Sequence, residues 1–126
     1  MESYIIEGGN RLEGSIDISG SKNATLPIMA ACILNEGTTT LTNVPDIYDV
    51  KIMENILEHL GCKIYRNKDK LVINSKDIIN NNIPEILMRQ MRSSVMLVGA
   101  IIGRCKKAVF SYPGGCEFLL IQLLKK

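Results

Sequence analysis

Ile18-Ser19-Gly20-Ser21-Lys22-Asn23-Ala24-Thr25-Leu26-Pro27 reads as a strand passing through a tight turn into a helix, and it sets the fold class. Just before the turn, Ser15-Ile16-Asp17-Ile18-Ser19 alternates polar and apolar residues with period two, the pattern of a half-buried strand. Gly20 to Asn23 forms the turn. From Ala24 to Leu34 the chain is apolar over a length that suits a buried helix, with Pro27 expected in its first turn, where proline is tolerated. Tyr4-Ile5-Ile6, closed by Gly8-Gly9, reads as another short strand.

Strands and helices keep alternating downstream. Thr38 to Val44 is β-branched and stops at Pro45, so it reads as a strand. Asp46 is the expected N-cap of the next helix. Its apolar residues Ile47, Val50, Met53, Leu57 and Leu60 recur at three- and four-residue spacing, and Gly61 follows as the expected terminator. Cys62 to Arg66 and Leu71 to Asn74 predict a hairpin around Asn67-Lys68-Asp69. Ser75 to Asn82 is polar and reads as a loop. A helix is expected from Glu85 to Ile102, then a strand from Ala108 to Ser111 before Pro113-Gly114-Gly115. A shift of 68 positions lays Pro45 on Pro113, Ile33-Leu34 on Ile101-Ile102 and Thr40-Leu41 on Ala108-Val109. Both copies run apolar helix, turn, strand, proline. The echo predicts repeated βαβ-type units and an α/β (α+β) fold.

Bulk properties narrow the function. The 126 residues are 46% hydrophobic and 22% charged with a net charge of +2, which suits a single folded domain and argues against nucleic acid as a partner. The densest basic run, Arg104-Cys105-Lys106-Lys107, reads as a solvated turn. No apolar run approaches the ~18 residues of a membrane span, and Met1-Glu2-Ser3-Tyr4 does not open a secretory signal. The four cysteines form no Cys-x-x-Cys pair, and His59 is the lone histidine, so neither a metal nor a disulfide framework is expected. Reduced thiols and a cytoplasmic setting follow.

Three segments carry candidate chemistry. Lys22 and Asn23 open a helix, whose N-terminus offers unpaired N–H groups and partial positive charge to an anion; the alternative is a capped helix with a surface lysine. In Met88-Arg89-Gln90-Met91-Arg92-Ser93-Ser94, Arg89 and Arg92 are three apart and would share a helix face, with Met88, Met91 and Val95 turned to the core. Those arginines suit a bidentate anion clamp or simple surface charge. Cys116 follows two glycines, where a thiolate is reachable, and is either a working thiol or a loop cysteine without a role. Cys32 and Cys62 read as small core residues.

Taken in order, these segments resemble the enolpyruvyl transferase family. The resemblance is carried by Ile18 to Pro27, Asn43-Val44-Pro45-Asp46, Met91-Arg92-Ser93-Ser94 and Pro113-Gly114-Gly115-Cys116-Glu117, and it covers residues 1–117. Within the family it leans to the branch that serves peptidoglycan synthesis. The shikimate-pathway branch typically has Lys-Ser where this chain has Lys22-Asn23, and it lacks the loop cysteine. The resemblance implies phosphoenolpyruvate and UDP-N-acetylglucosamine as substrates, with no cofactor and no metal. Lys22 and Asn23 would contact phosphoenolpyruvate, and Arg92 would face the nucleotide sugar. Cys116 would protonate the enolpyruvyl methylene carbon and also add covalently to phosphoenolpyruvate, a position that the epoxide antibiotic fosfomycin attacks.

Complete members of the family are inside-out α/β barrels of repeated βαβαββ units in two domains. Residues 1–21 are therefore expected to belong to a second domain, and 22–117 to form part of one. Residues 118–126 depart from the family pattern, which has an arginine where Ile121 stands, and read as a frameshifted or truncated tail. Activity of these 126 residues alone is expected to be negligible, because groups that complete the site lie elsewhere in the family's chain. An anion-binding or interaction role without turnover is the alternative.

Overall fold

The structure, a computed structural model, describes residues 3–110. Seven elements follow one another: α1 (Lys22–Ala31), β1 (Thr38–Leu41), α2 (Tyr48–Leu60), β2 (Lys63–Asn67), β3 (Lys70–Asn74), α3 (Glu85–Gln90) and α4 (Met96–Cys105). Single 3-10 turns occupy Cys32–Leu34 and Arg92–Val95. The sheet order is β1-β3-β2, and β3 is antiparallel to both neighbours, so β1 and β2 run parallel with β3 between them. The α2 crossover thus makes a split βαβ unit, and α1-β1-α2-β2-β3 matches all but the first strand of a βαβαββ repeat.

Alternation fixes which sheet face is covered. In register, Thr39 and Leu41 oppose Ile73 and Leu71, which in turn oppose Ile64 and Arg66. Leu71 and Ile73 are fully buried and join one core with Leu26, Met29 and Ile33 of the first helical segment, six residues of α2, and Leu97 and Ile101 of α4. The alternate residues, among them Thr40 and Tyr65, point away from that core. On α2 the apolar stripe is wider than its spacing predicts: Ile52 and Ile56 are buried alongside Val50, Met53, Leu57 and Leu60, whereas Ile47 is only half-buried. Gly61 ends the helix at φ +111°, and a Cβ there would lie 2.6 Å from the Asp77 carbonyl oxygen.

Several expected elements do not form. Tyr4–Ile6 and Ser15–Ser19 are not strands; residues 3–19 have no regular structure, and Tyr4, Ile5, Ile6, Ile16 and Ile18 are exposed. A strand needs a ladder partner for its N–H and C=O groups, and none of the described residues supplies one. The strand expected over Thr38 to Val44 stops at Leu41 as β1, because Asn43 takes a left-handed φ of +56° that leaves the sheet. Asp46 does not cap α2. Ile47 holds that position without a side-chain bond, and the Asp46 carboxylate pairs instead with Lys51 at 3.0 Å. Pro27 falls in the second turn of α1, since the helix starts two residues earlier than expected, and the Asn23 carbonyl loses its i+4 donor.

The long helix from Glu85 breaks at Met91, whose φ −147° and ψ 117° are extended. Ser94 explains the break. Its backbone N–H and its hydroxyl both donate to the Met91 carbonyl oxygen, the hydroxyl at 2.6 Å, and so hold that carbonyl out of an α-helical ladder. Met88 and Met91 are buried as expected, and Val95 is half-buried. Of the last expected strand, only a single parallel bridge between Val109 and Asn82 forms within the described residues; Ser111 lies outside them.

Arg104 is also misplaced by its sequence context. It belongs to α4, with its side chain only 14% exposed, and ties that helix to the loop after β3. One guanidinium nitrogen donates to the Lys76 carbonyl at 3.0 Å, and the other lies 2.7 Å from Glu36. Lys106 and Lys107 are solvated, as expected of that run.

Candidate functional site

Ser21 caps α1: its hydroxyl accepts a bond from the Ala24 N–H at 3.4 Å, and its carbonyl accepts from Thr25 N–H at 2.9 Å. The cap fixes Lys22 and Asn23 as the first two residues of the helix, both exposed. No acidic residue lies in the first turn of α1, although sequences usually place one there to meet the partial positive charge. Lys22 adds a full positive charge at that end. Its ammonium lies 2.9 Å from Asp49, in the first turn of α2.

The turn before the cap is seated on the segment after β1. A Cβ on Gly20 would fall 1.7 Å from the Asn43 carbonyl oxygen and 3.1 Å from Pro45 Cδ, a contact that only glycine permits. Asn43 is held in turn by the hairpin tip. The Asn43 N–H donates to the Asp69 carboxylate at 3.2 Å, and the Val44 N–H donates to the Asp69 carbonyl at 2.8 Å. Below it, Arg66 pairs with Glu54 across 2.6 Å with both side chains largely buried, and reaches toward the Val44 carbonyl at 3.5 Å. Two of the motifs quoted from sequence, Gly20 to Asn23 and Asn43 to Asp46, are therefore one structural unit.

Arg92 is brought to no such unit. It opens the 3-10 turn after Met91, is exposed, and forms no ion pair among the described residues. Arg89 lies across the Met91 break on α3 and pairs with Glu85 one turn back, so the two arginines do not share a helix face. Cys116 and the whole Pro113–Glu117 loop lie outside the described residues. Cys32 and Cys62 are buried core thiols, as expected. Burial pushes both above the usual thiol range, Cys62 to about 11, and Cys32 donates its S–H to the Ile28 carbonyl. Neither is a nucleophile at neutral pH.

A depression of about 250 Å³ opens between α1 and β1, lined by Thr25, Ile28, Thr40, Leu41, Thr42 and Val44. It holds no charged group and does not include Lys22, so it does not suit an anion. Residues missed in the sequence are Asp49, Asp69 and the contact made by Gly20. Only Asp49 had a signal there: it is the acid of the α2 first turn, and α1 lacks one.

A family model described as EPSP synthase (3-phosphoshikimate 1-carboxyvinyltransferase) matches residues 6–118. The chain belongs to the EPSP synthase family. Among the members it resembles, UDP-N-acetylglucosamine 1-carboxyvinyltransferase 2 of Caldanaerobacter subterraneus subsp. tengcongensis is 48% identical over 117 residues, 93% of this chain and 28% of that protein. UDP-N-acetylglucosamine 1-carboxyvinyltransferases of Methylacidiphilum infernorum and Desulfosudis oleivorans are 45% and 41% identical, each over 92% of this chain. This EPSP synthase family chain spans about 28% of the length of those relatives. Its fold also matches that of the enolpyruvyl transferase NikO from Streptomyces tendae, with a TM-score of 0.68 at 23% identity over 77% of this chain and 23% of that one. The split βαβ sheet and its helices are thus a piece of the enolpyruvyl transferase fold. No helix of the described residues is long and apolar enough to cross a membrane.

Proposed function

We propose that this chain carries the phosphoenolpyruvate side of a UDP-N-acetylglucosamine enolpyruvyl transferase site, serving the first committed step of peptidoglycan synthesis in the cytoplasm. One observation carries the reading: Lys22 and Asn23 open a helix whose N-terminus has no acid of its own and whose entry is seated on Asn43 and Pro45. That is a cationic helix start whose Lys22 is held by Asp49 of α2 and which suits an anion. The names and identities of the relatives favour UDP-N-acetylglucosamine over shikimate 3-phosphate as acceptor, in line with Asn23 and Cys116.

In this reading Lys22 and Asn23 hold phosphoenolpyruvate by its phosphate or carboxylate, and Arg92 faces the nucleotide sugar. The sugar 3-hydroxyl yields its proton to a general base supplied elsewhere in the family's chain, and its oxygen bonds to C2 of phosphoenolpyruvate. At the same time the Cys116 thiol gives its proton to C3. The tetrahedral adduct then expels phosphate as C3 returns a proton to the Cys116 thiolate, which restores both the enol ether and the thiol. The same thiol, as thiolate, bonds to C2 as C3 takes a proton from solvent in the covalent phosphoenolpyruvate adduct, and it is the nucleophile that opens the epoxide C–O bond of fosfomycin. The fold belongs in an inside-out barrel of βαβαββ repeats, with residues 1–21 joining a second domain.

A polypeptide of these 126 residues alone is expected to release no phosphate above background from phosphoenolpyruvate and UDP-N-acetylglucosamine, because it spans about 28% of its relatives. Steady-state phosphate release checks this, and turnover near that of a relative would contradict it. A non-catalytic anion-binding role is the second reading, favoured by the same short span. Intact mass after separate incubation with phosphoenolpyruvate and with fosfomycin distinguishes them: an adduct on Cys116 supports the transferase reading, and unmodified protein supports the other.

A further inference from the structure

We propose that Asp49 is a positioning residue, which fixes the Lys22 ammonium at the α1 N-terminus in readiness for a phosphate- or carboxylate-bearing substrate. This rests on the reading of Lys22 as the phosphoenolpyruvate contact.

Lys22 is the first residue of α1, so its charge meets the partial positive end of its own helix. Left alone, the side chain would be pushed outward and would sample many rotamers. The acid that opposes this comes from another element. Asp49 sits in the first turn of α2, where a carboxylate is favoured, and lies 2.9 Å from the ammonium. Asp46, the other acid near that helix start, is engaged by Lys51 at 3.0 Å and does not compete.

The pair is not needed to hold the two helices together. Its side chains are 49% and 29% exposed, a setting in which an ion pair adds little stability, while Leu26 and Met29 of α1 and Val50 and Met53 of α2 are buried in the common core. An ammonium has three N–H donors. Asp49 accepts one and leaves the others for a ligand. The long lysine stem otherwise loses much rotamer freedom on binding, and Asp49 makes that loss before the ligand arrives.

The sign of one substitution separates positioning from simple charge. Asp49→Asn removes a negative charge beside the anion, so electrostatics alone predicts tighter anion binding. Positioning predicts the reverse. Phosphoenolpyruvate is titrated into the isotope-labelled full chain at neutral pH and low salt, following the backbone amides of Ser21 to Ala24. Asp49→Asn is expected to weaken binding about threefold to tenfold, with Asp49→Glu recovering much of it and the urea midpoint unchanged in both. Equal or tighter binding by Asp49→Asn overturns the proposal. If the unaltered chain shows no shift with phosphoenolpyruvate, the substrate reading fails instead. Positioning is then decided by scalar coupling across the Lys22 Nζ–Asp49 carboxylate hydrogen bond. Coupling in the unaltered chain that is lost in Asp49→Asn supports it, and no coupling in the unaltered chain overturns it.

Discussion

Gly20→Ala is expected to weaken phosphoenolpyruvate binding by at least about tenfold while most of the fold's stability remains. The new Cβ would lie 1.7 Å from the Asn43 carbonyl oxygen, a collision with backbone that no rotamer change relieves. Asn43 is the side less able to move. Its own N–H and that of Val44 are both tied to Asp69, and Val44 is buried. On the other side of the collision, residues 3–19 are exposed and without regular structure, so they follow any displacement freely. The shift therefore falls on Gly20 and Ser21, which loosens the cap and moves Lys22 and Asn23. Loss of a cap costs about 1 kcal/mol, whereas a displacement of about an ångström in a contact group costs far more in function. Gly8→Ala is the control, since its added Cβ meets nothing within 4 Å. Titration of both variants with phosphoenolpyruvate, beside urea unfolding, reads the two effects separately. Unchanged affinity in Gly20→Ala would show that the seat on Asn43 does not place the lysine.

Leu57→Ala is expected to cost about 2–5 kcal/mol of unfolding free energy. Leu57 is fully buried on α2, in the same core as Leu71 and Ile73 of the sheet and Leu26 and Met29 of α1. Truncation removes its apolar burial and leaves a cavity that these neighbours fill only in part. Against a typical domain stability of about 5–15 kcal/mol, the loss is a large share. Urea unfolding followed by circular dichroism measures it, and Tyr65→Ala on the open sheet face provides a small-effect comparison. A loss below about 1 kcal/mol for Leu57→Ala would mean that the helix layer is not packed as described.

The sequence spoke clearly where local physics decides. The α2 stripe, Gly61, the hairpin around Lys68 and Asp69, and the buried cysteines all follow from periodicity, backbone freedom and polarity. It misled where a tertiary partner decides. Ser15 to Ser19 alternates like a strand, yet no described strand lies beside it to complete its ladder. Glu85 to Ile102 has the composition of one helix, but Ser94 takes the Met91 carbonyl and divides it. Asp46 has the residue type of a cap and spends its charge on Lys51. Half of the candidate site was legible in the same sense. Lys22 and Asn23 could be read at a helix start, but the contacts from Asn43, Asp49 and Asp69 join residues far apart in the chain. No spacing rule reveals them.

Phosphate release by a chimera tests most directly whether these residues carry the phosphoenolpyruvate side of the site. Residues 1–117 replace the matching segment of the Caldanaerobacter relative, which supplies the remaining length. Turnover with phosphoenolpyruvate and UDP-N-acetylglucosamine is expected, falling by at least about a hundredfold in Lys22→Ala and in Cys116→Ala. A folded chimera without turnover, or one whose turnover survives both substitutions, would contradict the assignment.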